Sequence, residues 1–370
     1  MNIKYSLIKG NYGIYFFVLK IIKRMLPGSI NFYEIQSKTD MPFERFLLYE
    51  ESKSTISLPN YAYKKSAKYK GIYAYFIKNG ILKTNSSCFI QKSKFYVDSI
   101  VYSYPYKYGF EYGGFVKRYP FIDYLSSSGK SKFNKLVLSN INLNKKNHLC
   151  IEKGIFLGGS GCNNWYHWII EYLPKLFVSY KLPDKYNSYP LIVPGFIKEN
   201  KNFMDALFLF NELNRKVLFF NKYQNILVKD LIYIDNIISA PYQIKDNFNP
   251  CYEHYNHHDN VLLEYASKFN QLLNSSHLNE NSIQKKEKIF LARKDLFRNY
   301  NQDKILEISK KYGFHEIYLE KLSLIEQISL FSNAKFVIGP PGAAWTGLIF
   351  ATENKLGCLS WLPDYLNEAC

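Results

Sequence analysis

Residues 335–350 read KFVIGPPGAAWTGLIF, and this stretch limits the fold more than any other. An apolar run, Phe336–Ile338, meets two glycines and two prolines and continues at once into a small-residue segment of helical character. A strand that stops at glycine and restarts as a helix places backbone N–H groups and a helix N-terminus at the strand's carboxyl end. Doubly wound sheets bind anions there. Gly342 lets a phosphate approach the backbone closely, while Pro340 and Pro341 remove two donors but pre-set a helical φ. Glycine turns also join strands to helices in many folds, so a plain connection carries equal weight.

After Cys150 strand and helix signals alternate, the pattern of a doubly wound sheet. IEKGIFLGG, YPLIVPG, KVLFF and ILVKDLIYI read as strands, with WYHWIIEYLPKLFVSY and KNFMDALFLFNEL as helices among them. A polar stretch between Asn247 and Lys286, flanking the helix VLLEYASKFNQLL, marks the domain crossing. Beyond it the strands KIFLAR, HEIYLE, KFVIG and LGCLSWLP alternate with the helices QDKILEISKKYG, SLIEQISLFSNA and PGAAWTGLIFA. From about 40 to 150 the texture differs: Tyr-rich alternating pieces such as KSKFYVDSIVYSYPY and KLVLSNINL read as short strands and loops. The expectation is an α/β chain with two Rossmann-like halves and a β-rich N-terminal region. It divides into a basic amphipathic segment (1–40), a first domain (41–250, Rossmann-like from about 150) and a second Rossmann-like domain (251–370).

Lys plus Arg outnumber Asp plus Glu by 48 to 31, a net charge of +17, which suits attraction of phosphates, polyanions or an anionic membrane face and equally a surface of dispersed solubilising lysine. No dense basic block interleaved with aromatics and no nucleic-acid module stands out, and no nucleic-acid partner is expected. The six cysteines, at 88, 150, 162, 251, 358 and 370, lack CxxC spacing, which fits a reducing compartment and gives neither a zinc site nor a disulfide framework. Ile14–Leu19 is far too short to span a bilayer. The segment GIYFFVLKIIKRMLPG is basic and amphipathic; it reads first as a packed helix and second as a membrane-surface helix.

Two further clusters bear chemistry. IFLARKDLFRNYN puts Arg293, Lys294 and Arg298 just after a strand, at the same sheet end as the glycine turn. Guanidinium forks suit phosphate oxygens, so together these elements point to a nucleotide-diphosphate site. NNWYHWIIEYLP puts Asn164, His167 and Glu171 on one helix face. A histidine beside a carboxylate is a base with its orienter; an N-cap followed by a satisfied surface histidine accounts for the same spacing. SGKS at 128–131 lacks the upstream glycine of a P-loop, GGSGC at 158–162 is neither GxGxxG nor GxSxG, and no Asp-x-Asp pair occurs. Neither a metal nor any other cofactor is therefore expected.

Taken in order, NNWYHWIIEYLPKL, IFLARKDLFRNYN and LSLIEQISLFSNAKFVIGPPGAAWTGLIFA resemble glycosyltransferase family 61, in particular its bacterial capsular-polysaccharide members. The resemblance covers roughly residues 150–370. It implies a GT-B-like architecture, two Rossmann-like domains facing a cleft. It also implies metal-independent, inverting transfer from a nucleotide-sugar donor to an oligosaccharide or lipid-linked saccharide acceptor. The location implied is cytoplasmic, at the inner face of the membrane where contact is peripheral. On that resemblance Arg293, Lys294, Arg298, Asn301, Gly339, Gly342, Ala343, Ala344 and Thr346 bind the donor, with Glu326 and Gln327 near its nucleoside. His167 and Glu171 are catalytic, the base left open between them, and Asn164 and Trp168 face the acceptor. Two departures count against ordinary activity: Pro341 stands where family members usually carry histidine, and the chain stops at Cys370 without a closing helix, which reads as truncation. The alternative is a weak or inactive relative that binds saccharide or serves assembly.

Overall fold

Apolar and aromatic residues at alternate positions build the strands of the N-terminal half, as in Ile72–Leu82, whose inward side chains are buried. The computed structural model describes residues 32–34, 43–56, 65–69, 71–82, 84, 88–92, 94–97, 149–159, 161–221, 224–239, 256–275, 286–294, 300–351 and 356–361. The basic amphipathic segment, KLVLSNINL, SGKS and Arg298 lie outside the described residues. Within them the chain is mixed α/β, and its elements group into two units whose boundaries interleave along the sequence.

The first unit takes residues up to Cys162, Ser179–Gly195 and Arg215–His257. Its strands are β1 (Phe32–Glu34), β2 (Glu44–Tyr49), β3 (Ser52–Ile56), β4 (Lys65–Tyr69), β5 (Ile72–Leu82), β6 (Cys88–Gln91), β7 (Lys94–Val97), β8 (Leu149–Phe156), β9 (Leu191–Pro194), β10 (Val217–Phe220), β11 (Ile226–Ile234), β12 (Ile238–Ser239) and β13 (Asn256–His257). Nine of them form one sheet in the order β1-β7-β6-β5-β11-β8-β9-β10, with β2 also on β5. β11, β8, β9 and β10 run parallel, whereas β5, β6 and β7 pair antiparallel. Phe89 and Tyr233 stand at the centre of the core, ring centroids 5.2 Å apart, with Tyr96 stacked on Phe89.

The second unit takes Asn163–Val178, Phe196–Asn214 and the chain from His258. Its helices are α1 (Leu173–Val178), which continues a π-helical turn at His167–Tyr172, α2 (Lys201–Phe210), α3 (Asp259–Ser275), α4 (Gln302–Lys311) and α5 (Leu324–Asn333). Strands β14 (Lys288–Leu291), β15 (His315–Ile317), β16 (Phe336–Gly339) and β17 (Gly357–Ser360) form an all-parallel sheet in the order β15-β14-β16-β17. This grouping differs from a single cut near residue 250: α1 and α2, which follow β8 and β9 in sequence, belong with the C-terminal sheet. An aromatic spine accounts for it. Phe177, Phe210, Tyr265, Phe269 and Phe350 follow one another with centroids 4.7–6.4 Å apart, tying α1, α2 and α3 to the helical segment after β16.

Gly313 ends α4 at φ 81°, as its place after a helical run predicts. No helix among the described residues is long and apolar enough to cross a membrane.

Candidate functional site

In a parallel sheet whose chain order is β14, β15, β16, β17 but whose spatial order is β15-β14-β16-β17, the loops after β14 and β16 leave in opposite directions. The crevice between them is the switch point at which open α/β sheets bind ligands. Both sequence clusters expected to bind phosphate leave the sheet there. Gly339 lies beside Leu291, and a Cβ on it would stand 2.8 Å from the Leu291 Cβ, so glycine is what lets β16 finish against β14. Gly342, with φ 157°, has the Arg293 guanidinium over it: a Cβ there would stand 2.6 Å from Nη2. Nη2 donates to the carbonyl of Pro341. Arg293 therefore crosses from the β14 loop to the β16 turn, a meeting of residues 48 apart in sequence.

A 3-10 helix, Ala343–Phe350, follows the turn where an α-helix was expected. Gly347 explains its close seat on α5, since a Cβ there would lie 1.9 Å from the Phe331 ring. The amides of Ala343 and Ala344 open this 3-10 helix, positions that have no carbonyl three residues before them inside it. The Trp345 indole donates to Pro340 O at 2.9 Å and braces the turn from within. Thr346 is 3% exposed, and its Oγ1 is buried with no hydrogen-bond partner.

On the β14 side, Lys294 is exposed and Asn301 sits exposed at the N-cap of α4 without a side-chain capping bond. Gln302 was not anticipated. Its Oε1 accepts from the Arg293 amide at 2.8 Å, its Nε2 donates to the Arg293 carbonyl at 3.1 Å, and the Tyr300 hydroxyl also donates to Oε1. Burial pushes the Tyr300 phenol up, partly offset by the Arg293 charge nearby. Glu326 and Gln327 are engaged locally. Glu326 forms a capping box with Ser323, which holds its carboxyl below the ordinary value, and Gln327 Nε2 donates to the carbonyls of Leu319 and Leu322.

The second cluster lies on the π-helical turn. His167 Nδ1 stands 2.9 Å from Glu171 Oε2, with side chains 23% and 2% exposed. Asn164 Oδ1 accepts from the Tyr166 amide at 2.9 Å, and its own carbonyl accepts from Trp168 N, so it starts this helix. Trp168, expected at an acceptor surface, is fully buried and stacked on Phe203.

Pro174 accounts for the widened turn. It has no N–H, and its ring crowds the carbonyl four residues before it. Leu173 N donates to Trp168 O, a five-residue step that leaves the Ile169 carbonyl without its helical partner. The Tyr265 hydroxyl on α3 donates to that carbonyl at 2.8 Å. Since Tyr265 and Phe269 belong to the aromatic spine, one helix supports the dyad's turn and packs on Phe350 of the 3-10 helix.

Among the described residues no group of three or more His, Cys, Asp or Glu could hold a metal ion. At the turn the Arg293 guanidinium stands beside the backbone N–H groups that open the 3-10 helix, a set suited to an anionic oxygen-rich ligand. The model of the family Glycosyltransferase 61 matches residues 165–358, just over half of the chain, a span that takes in His167, Glu171, Arg293 and the Gly342 turn. No match was found among curated proteins.

Proposed function

The chain belongs to glycosyltransferase family 61, and from that premise we propose that it transfers a sugar from a nucleotide-sugar donor to a saccharide acceptor, with inversion and without a metal in the step. The observation that carries this reading is Arg293 lying over the Gly342 turn at the switch point of a parallel sheet. The donor's phosphates bind there, against Arg293, Lys294 and the amides of Ala343 and Ala344.

Departure of the nucleotide builds negative charge on the leaving phosphate oxygen, and guanidinium and amide N–H groups aimed at it lower the barrier. His167 is the base. Nδ1 is turned to Glu171, and the buried carboxylate orients the ring and stabilises the imidazolium that forms when the ring takes the acceptor's proton. The acceptor oxygen attacks the anomeric carbon from the face opposite the nucleotide. The carbon–oxygen bond to phosphate breaks with its electron pair going to the phosphate oxygen, and the hydroxyl proton passes to His167. Asn164 borders this position through the exposed start of the helix, and Trp168, buried on Phe203, holds the turn that carries His167.

The wider setting proposed is assembly of a bacterial surface polysaccharide such as capsule. A GT-B arrangement would have the acceptor reach His167, and the protein would work in the cytoplasm against an oligosaccharide or lipid-linked acceptor at the membrane's inner face. Incubation with UDP-, GDP- and CMP-sugars plus capsule-repeat acceptors tests the activity; transfer with one donor supports it, and neither transfer nor nucleotide binding with any donor overturns it. A second reading, a weak or inactive relative that binds saccharide, is favoured by Pro341. Its side chain donates nothing and its carbonyl occupies one Arg293 nitrogen. Raised turnover in Pro341→His separates the two.

A further inference from the structure

We infer that Gln302 is a positioning residue, which sets the Arg293 guanidinium for the donor's phosphates; the inference rests on the donor site proposed above. Gln302 is 7% exposed and touches no ligand position itself. Its side-chain amide meets both backbone polar groups of Arg293, accepting from the N–H at 2.8 Å and donating to the carbonyl at 3.1 Å. This fixes the orientation of the amide, because a flipped one would set donor against donor and oxygen against oxygen. Two such bonds hold the peptide planes on either side of the Arg293 Cα and so fix the direction in which its side chain leaves.

Neighbouring bonds complete the clamp. The Ala292 amide donates to Ile317 O at 2.8 Å, pinning the preceding residue to β15. The Tyr300 hydroxyl donates to the same Oε1 and keeps Gln302 from swinging away. As the first residue of α4, Gln302 is anchored by the helix, and its bonds to the Arg293 backbone span nine residues of sequence. Arg293 then reaches the turn at Gly342 in one geometry instead of sampling many, and a bound phosphate meets a guanidinium already ordered.

The test is calorimetric titration with UDP, GDP and CMP of the wild type, Gln302→Met, Gln302→Glu, Arg293→Ala and the Arg293→Ala/Gln302→Met double variant, with thermal melts alongside. Gln302→Met removes both bonds at nearly constant length and is expected to weaken the nucleotide that binds by about tenfold, the scale of one or two hydrogen bonds. Gln302→Glu keeps the acceptor, loses the donor and should fall between; it replaces Gln302→Met in both comparisons should that variant not fold. In the Arg293→Ala background the Gln302 substitution should change affinity by less than about twofold, because its effect passes through the guanidinium. Wild-type affinity in Gln302→Met, or a loss that persists undiminished without Arg293, overturns the inference while leaving the donor site standing. No nucleotide binding by the wild type, or no change in Arg293→Ala, overturns the donor site itself and this inference with it.

Discussion

The two clusters of the site are built in opposite ways. On the π-helical turn, His167 and Glu171 are four residues apart and find each other within a single element. At the glycine turn, Arg293 and Pro341 are 48 residues apart and meet only because β14 and β16 are neighbours in the sheet. The first cluster is a local geometry protected from outside, by Tyr265 on the orphaned Ile169 carbonyl. The second is a long-range geometry held by a chain of polar side chains, Tyr300, Gln302 and Arg293. Chemistry set by one helix should tolerate disturbance of the sheet, whereas chemistry set between two loops should not.

Substitutions can break this contrast, and the largest effect belongs to the local pair. His167→Ala should lower transfer by about 10²- to 10⁴-fold, the usual contribution of a positioned base, with nucleotide affinity unchanged; a parallel loss of affinity would merge the clusters that the comparison separates. Arg293→Ala should do the reverse, weakening nucleotide by about 1.5–3 kcal/mol. Gly342→Ala should weaken the same titration, since its Cβ would displace the guanidinium.

Tyr265→Phe sharpens the comparison. It leaves the Ile169 carbonyl buried without a partner and should cost about 1–3 kcal/mol in thermal or denaturant unfolding, with transfer reduced more than nucleotide affinity. The smallest effect lies at the start of α5. Ser323→Ala should cost about 1 kcal/mol of stability as a lost N-cap. The Glu326 carboxyl is held below its ordinary value by Ser323, so its contribution is present at neutral pH and is lost as pH falls past 4.5 and through the depressed value. The melting temperature of Ser323→Ala should accordingly vary less than that of the wild type across that interval.

Much of this architecture could be read from residue order, and the reason is periodicity. The C-terminal strand and helix segments stand where apolar runs, caps and glycines predict them, because each element buries one face and ends on its own turn residues. The His167–Glu171 pairing was likewise legible, since helical spacing is local. The interleaving of the two units was not, because the aromatic spine joins α1, α2 and α3 through contacts far apart in sequence. Pro174 was visible while its consequence, a π turn completed by Tyr265, was not. Gln302 looks like any polar residue at a helix start, and nothing in its spacing announces that its side chain meets both backbone polar groups of Arg293. Glu326 and Gln327 illustrate the reverse: their side chains are engaged by the cap of α5 and by nearby carbonyls.

The most direct measurement is a crystal structure of the protein with the nucleotide of its preferred donor. The account predicts phosphate oxygens at the switch point between β14 and β16, within hydrogen-bond reach of the Arg293 guanidinium and the Ala343 and Ala344 amides. Phosphates bound elsewhere, with Arg293 still on Pro341 and the turn unoccupied, would contradict it.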